Sequence, residues 1–176
     1  MKDLHPKPRW WHNIIKRAAA TKFGTWLVAN TLHHLDRPFI KLTNGHNSPS
    51  RFLAGLPVVT LTAIGAKSGK PRSIPLAGYP DGEKIILIAT NFGRSRHPGW
   101  YHNLKANPEA VLSFFGHTKT YVAHEADGEE YQAYWQQAVA LYTGYEVYKQ
   151  RAGKRHIPVV VLTPKQQPAL EFQKTI

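Results

Sequence analysis

Two hydrophobic periods divide this chain. Between residues 9 and 35 the apolar positions Trp10, Trp11, Ile14, Ile15, Ala18, Ala19, Phe23, Trp26 and Leu27 recur at steps of three and four, the period of an α-helix. The opposite face carries His12, Asn13, Lys16, Arg17 and Thr21. The pattern predicts an amphipathic helix with aromatic and aliphatic groups on one side and basic groups on the other. Such a helix can pack on the domain's own core or on the partner in a homodimer, and it can also lie in an anionic membrane interface. Residues 37–51, broken by Pro38, Asn44-Gly45 and Ser48-Pro49, read as a connector.

From Pro57 the period changes to that of strands. Residues 58–64 form a β-branched run, 73–79 form a second, and Pro80-Asp81-Gly82 turns the chain into a third over 84–90. A loop over 91–97 holds Gly93, Arg94, Arg96 and His97. A short helix starts at Pro98, a residue favoured in a first helical turn, and stops at Asn107-Pro108. Strands over 110–115 and 118–125 make a hairpin through Gly116-His117. Asp127 with Glu130 three positions on fits a capping box for a helix reaching about Tyr142. After Gly144 a further helical stretch carries Tyr145 and Tyr148 to Gly153, and 157–162 is a final buried strand. Short links join the first five strands, so the expected fold class is α+β. Its sheet is mostly antiparallel and six-stranded, and at this size it closes into a barrel to remove its edges. Residues 1–50 are then an amphipathic helix and connector, 51–164 the barrel domain, and 165–176 a polar tail.

Composition narrows the partners. The 176 residues hold 23 Lys plus Arg against 11 Asp plus Glu, a formal charge of +12, which attracts anions: nucleic acid, anionic lipid or a phosphorylated small molecule. With no cysteine, disulfides and thiolate chemistry are excluded. Lys16, Arg17, Lys22 and Asn30 interrupt the apolar core that a signal peptide needs, and no segment approaches the ~20 apolar residues of a membrane span. A cytoplasmic location is expected, peripheral on the inner face of the cell membrane if the first helix binds lipid.

The chemistry centres on Gly65-Ala66-Lys67-Ser68-Gly69-Lys70-Pro71-Arg72, a basic Gly-Ser turn between two strands. Glycines let consecutive N–H groups converge, so such a turn suits a phosphate. It is not a Walker A loop: the spacing is one residue short, Pro71 replaces the magnesium-binding hydroxyl, and a strand follows. The ten histidines show no zinc-site spacing, so no metal is expected. No Gly-x-Ser-x-Gly elbow and no zinc-finger, homeodomain or ribonucleoprotein motif occurs, which argues against a hydrolase and against nucleic acid as partner. Trp100 and Asn103, three apart, are expected to share one face of the short helix.

The runs Leu61-Thr62-Ala63-Ile64-Gly65-Ala66-Lys67-Ser68-Gly69-Lys70-Pro71-Arg72, Pro75-Leu76, Ala89-Thr90-Asn91-Phe92-Gly93 and His97-Pro98-Gly99-Trp100-Tyr101-His102-Asn103-Leu104-Lys105-Ala106-Asn107-Pro108 resemble the deazaflavin-dependent nitroreductase family. These are F420H2-dependent reductases with a split β-barrel related to flavin-binding barrels. The resemblance covers roughly residues 56–162, including Tyr142, Tyr145 and Tyr148. It implies that Lys67, Ser68 and Gly69, with Arg72 nearby, bind the phosphate of the coenzyme F420. It further implies that Pro75, Leu76, Ala89, Thr90, Asn91, Gly93, Trp100 and Asn103 lie against or near the deazaflavin. Tyr142, Tyr145 and Tyr148 line the substrate side, with Tyr148 or Tyr145 as proton donor.

Two departures stand out. Ala66 occupies a place where the family often has Arg, which predicts weaker phosphate affinity, and Phe92 stands where a second Gly is common. The resulting expectation is hydride transfer from F420H2 to a small hydrophobic electrophile, an activated C=C bond, a quinone or a nitroaromatic. A tyrosine, with a reference pKa of about 10, keeps its proton for donation at neutral pH. FMN in the same barrel is the alternative cofactor. A basic lipid- or nucleic-acid-surface module without catalysis is the alternative of a different class.

Overall fold

The computed structural model describes residues 57–114 and 117–166. The amphipathic helix expected over 9–35, the connector and the tail beyond 166 lie outside the described residues.

Six strands close a barrel: β1 (Val58–Ile64), β2 (Pro71–Asp81), β3 (Lys84–Ile88), β4 (Glu109–Phe114), β5 (His117–Glu125) and β6 (Val159–Pro164), in the order β1-β2-β3-β6-β5-β4. Every pairing is antiparallel. Among the described residues three α-helices accompany them: α1 (Gly99–Ala106), α2 (Gly128–Leu141) and α3 (Gly144–Ala152). β6 is the strand that closes the ring. It enters between β3 and β5, so neither keeps an open row of backbone donors.

Side-chain alternation explains which strands are apolar throughout. On β3 and β6, Ile85, Leu87, Val160 and Leu162 fill the barrel, while Ile86, Ile88, Val159 and Val161 face α2 and α3 outside it. Both faces are therefore dry, and both sequences read as unbroken aliphatic runs. β1, covered more fully on its inner face, alternates instead. From α1, Trp100, Tyr101 and Leu104 join the interior core. Leu87 is fully enclosed, so Leu87→Ala would cost about 2–5 kcal/mol.

Local expectations are corrected at several places. β2 begins at Pro71, so Arg72 is a strand residue paired with Ala63, and the basic turn contracts to residues 65–70. β3 stops at Ile88, which leaves Ala89 and Thr90 outside the strand. Pro98 caps α1 from outside, with extended ψ of 150°, rather than opening its first turn. Asp127 sits at the N-cap of α2 without a side-chain cap bond, and the Glu130 carboxylate meets His124 Nε2 at 2.9 Å, so the expected capping box does not form. Among the described residues no helix is long and apolar enough to cross a membrane.

Candidate functional site

The β1–β2 turn is drawn tight by its own backbone. The Gly65 N–H donates to the Lys70 carbonyl at 2.9 Å, and the Gly65 carbonyl accepts from the N–H groups of Ser68 and Gly69 at 3.1 and 2.8 Å. Gly69, at φ 63°, holds a left-handed conformation that a side chain would resist. The Lys70 N–H reaches Ser68 Oγ at 3.4 Å, and the Ala66 N–H donates to Asn103 Oδ1 at 3.0 Å. The convergent nest expected from the glycines is thus corrected in part: the N–H groups of Gly65, Ala66, Ser68, Gly69 and Lys70 are engaged inside the fold. An anion would meet side chains instead, the exposed Lys67, Ser68, Lys70 and Arg72.

Among the described residues those cations have no carboxylate partner. Among the described residues the ion pairs are His124–Glu130, His156–Glu125 and Lys165–Glu109, none of them at the turn. Ammonium and guanidinium groups with no carboxylate partner fit a phosphate or polycarboxylate guest.

A second element is the loop that leaves β3. Asn91–Gly93 makes one 3-10 turn in which Asn91, Phe92 and Gly93 all have positive φ, at 47°, 57° and 75°. Phe92 is the costly member, since the left-handed region penalises an ordinary L-residue by about 1–2 kcal/mol. A Cβ on Gly93 would stand 2.7 Å from the Tyr148 carbonyl oxygen and 2.6 Å from Arg151 Cβ. Glycine is thus what lets the loop close on α3. The Phe92 ring meets the Tyr148 ring edge-on, centroids 5.9 Å apart at 81°.

Arg155 holds this loop from behind. Its Nε donates to the Arg94 carbonyl at 2.9 Å and one terminal nitrogen donates to the Thr90 carbonyl. The other reaches the carbonyls of Ala89 and His156 and His97 Nδ1, the last at 3.2 Å. Burial, then the Arg155 charge, hold the His97 pKa below the ordinary histidine value, so His97 accepts at Nδ1. His97 also packs on Tyr101 of α1, centroids 5.0 Å apart, and Asn91 Nδ2 donates to the Arg96 carbonyl at 2.8 Å. Sequence reasoning missed Arg155, which lies in a polar link with no hydrophobic period to flag it.

Tyr142, Tyr145 and Tyr148 are buried, and together with Tyr79 of β2 their hydroxyls form two pairs. Tyr142 meets Tyr148 at 3.1 Å, while Tyr145 meets Tyr79 of β2 at 2.6 Å. Burial pushes the Tyr79, Tyr142 and Tyr145 hydroxyls well above the ordinary tyrosine pKa. Tyr79 went unmarked in the sequence because, as one of the residues of a strand, nothing signals a partner 66 positions away.

The sequence-selected residues therefore fall into three groups. Lys67, Ser68, Gly69 and Asn103 meet at the turn, with Arg72 following on β2. Ala89, Thr90, Asn91 and Gly93 form the loop against Tyr148. Pro75 and Leu76 lie on β2 opposite Thr60 and Val59, the latter two pairs in register, and Leu76 packs on the interior core. Trp100 is buried in that core, whereas Asn103 is half-exposed toward the turn, so the two diverge on α1. A cavity of about 520 Å³ lies elsewhere, lined by Glu125, Asp127, Tyr131, Gln132 and His156 among others. Its carboxylates suit an anion poorly, and none of the selected residues lines it.

The closed antiparallel barrel is a split-barrel fold, here with a cationic turn and an aromatic helix beside a glycine loop. The sequence model of the F420H2-dependent quinone reductases matches residues 37–164. An F420H2-dependent quinone reductase of Mycobacterium tuberculosis is 38% identical over 128 residues, covering 68% of this chain and 78% of the relative. Among solved structures, an F420H2-dependent reductase called FDR-A is 36% identical with a TM-score of 0.56, over 60% of this chain and 93% of that one. Another, described as a domain-swapped dimer, is 32% identical with a TM-score of 0.57, over 72% and 93%. The chain belongs to the F420H2-dependent quinone reductase family and is an oxidoreductase.

Proposed function

We propose that this chain reduces quinones, and by the same chemistry activated C=C bonds and nitroaromatics, with F420H2 as donor and Tyr148 as the proton donor. One continuous chain of contacts carries the reading. The cationic turn is bound to α1 through Ala66 and Asn103. Tyr101 of α1 packs on His97, which Arg155 joins to Ala89 and Thr90, and Gly93 of the same loop touches Tyr148.

When bound, reduced deazaflavin supplies a hydride. Lys67, Ser68, Lys70 and Arg72 would hold the coenzyme's phosphate, with its anionic tail along the basic surface. Ala89–Asn91, fixed by Arg155, would set the height of the ring. We take Tyr148 ahead of Tyr145 as the donor; the support for this is that its backbone and ring border the loop, while the hydroxyls of Tyr148 and Tyr145 each have a tyrosine partner, Tyr142 and Tyr79.

The deciding experiment is anaerobic mixing of the full chain with F420H2 and a quinone, following return of the oxidised deazaflavin spectrum and formation of hydroquinone. A chain that oxidises no F420H2 sinks the reading, and tighter binding of FMN than of F420 in parallel titrations overturns the cofactor. Association of residues 9–35 with anionic membrane is a proposal from the sequence pattern, tested by liposome flotation. A homodimer, suggested by the domain-swapped relative, is tested by light scattering.

A further inference from the structure

We propose that Phe92 is a specificity-determining residue: its ring forms an aromatic wall that favours fused-ring planar quinones over small single-ring acceptors. The inference rests on the proposed reading of the loop and Tyr148 as the reaction site.

The backbone identifies the residue. Asn91, Phe92 and Gly93 are left-handed in succession. Glycine takes that conformation freely and asparagine tolerates it, but an aromatic residue does so against its own preference. Glycine at 92 would satisfy the turn without penalty, so a bulky side chain there has to be explained by what the ring does. The turn itself does not need it: Gly93 makes the close approach to α3, and the Thr90 carbonyl accepts the Gly93 N–H at 3.0 Å.

The ring is only partly buried, packed through an edge-on contact with Tyr148. Tyr148 is in turn fixed by the Tyr142 hydroxyl at 3.1 Å, and the Arg151 guanidinium lies 6.0 Å from its ring centre. Phe92 and Tyr148 thus make a right-angled aromatic corner on the edge of the outer core cluster, in which Tyr148 is buried and Phe92 is the partly exposed member. A planar acceptor entering beside Tyr148 would lie along the Phe92 ring. A second fused ring gains that stacking contact, and a single small ring gains less of it.

The test uses the full chain, its F92G variant and the conservative F92Y, with kcat and KM measured for a naphthoquinone, an unsubstituted benzoquinone and F420H2. F92G is expected to raise KM for the naphthoquinone roughly fivefold, and to leave KM for benzoquinone and for F420H2 within about twofold. F92Y is expected to restore the naphthoquinone value. Equal changes for both quinones, or none, overturn the proposal, as does a change confined to F420H2, which would make Phe92 a support of the coenzyme loop. F92N, which keeps the left-handed turn, replaces F92G if that variant fails to fold. A wild-type chain inert toward F420H2 defeats the reading of the site itself, whereas an active wild type with unaltered selectivity in F92G defeats this inference alone.

Discussion

Asn103 Oδ1 accepts the backbone N–H of Ala66 at 3.0 Å, tying the half-exposed side of α1 to the cationic β1–β2 turn 37 residues earlier. The contact gives a job to an asparagine that the sequence marked only as a neighbour of the deazaflavin. It also uses backbone rather than side chain at 66, the position where an arginine is absent.

Asn103→Ala removes this acceptor and should weaken F420 binding. A neutral hydrogen bond contributes about 1 kcal/mol, which corresponds to roughly a fivefold rise in Kd. Asn103→Asp keeps an acceptor but sets a negative charge beside Lys67 and Lys70, so it should weaken the coenzyme further while leaving the melting temperature closer to wild type. Fluorescence titration with F420 and thermal unfolding distinguish the two. Equal affinity in all three proteins would mean the turn binds no anion that senses this contact.

Arg155→Met removes the guanidinium from the carbonyls of Ala89, Thr90 and Arg94. Hydrogen bonds to a charged group contribute more than neutral ones, and a net loss of about 2 kcal/mol is expected. For a chain of this size that is a fall of roughly 4–8 °C in Tm. Arg155→Lys, with a single point of donation, should recover only part of it. A Met variant that melts with wild type would show that the loop holds its shape unaided.

Tyr148→Phe and Tyr145→Phe should fail differently. The first leaves the Tyr142 hydroxyl unpaired and is expected, beyond that loss of stability, to lower kcat roughly 100-fold with the F420 Kd unchanged, the signature of a lost general acid. The second leaves the buried Tyr79 hydroxyl unpaired and should cost about 1–3 kcal/mol of stability with little change in kcat. Removing both hydroxyls in Y79F/Y145F should recover much of that loss, because no unpaired group remains. If Tyr145→Phe abolishes turnover while Tyr148→Phe does not, the donor is Tyr145.

Alkaline pH should unfold the protein through its tyrosines. Burial, then the bond to Glu125, pushes Tyr101 up to about 12, and burial, then the bond to Asp81, pushes Tyr134 up to about 12. An unfolded tyrosine ionises near about 10. Between those values the unfolded chain binds fewer protons than the native one, so stability is full below about pH 10 and falls as pH rises toward 12. Thermal melts across that window should show the decline, and it should be shallower in Y101F/Y134F. A flat profile would contradict the burial of these hydroxyls.

The sequence by itself determined the barrel. Its β-branched runs, its turns at Gly65–Arg72 and Pro80–Gly82, and the apolar stretches over 84–90 and 157–162 are local patterns, and local patterns record which faces must leave water. It also determined the charge of the turn and the identity of the glycine loop. Only the tertiary structure decided what those pieces touch. That β6 inserts between β3 and β5 and that Trp100 goes to the core while Asn103 goes to the turn depend on contacts between distant residues. So do Arg155 gripping the loop, Tyr79 taking the Tyr145 hydroxyl and the Ala66 N–H being taken by Asn103. Hydrogen-bond partners at such separations leave no period in the chain, because each is fixed by the packing of whole elements rather than by the residues beside it.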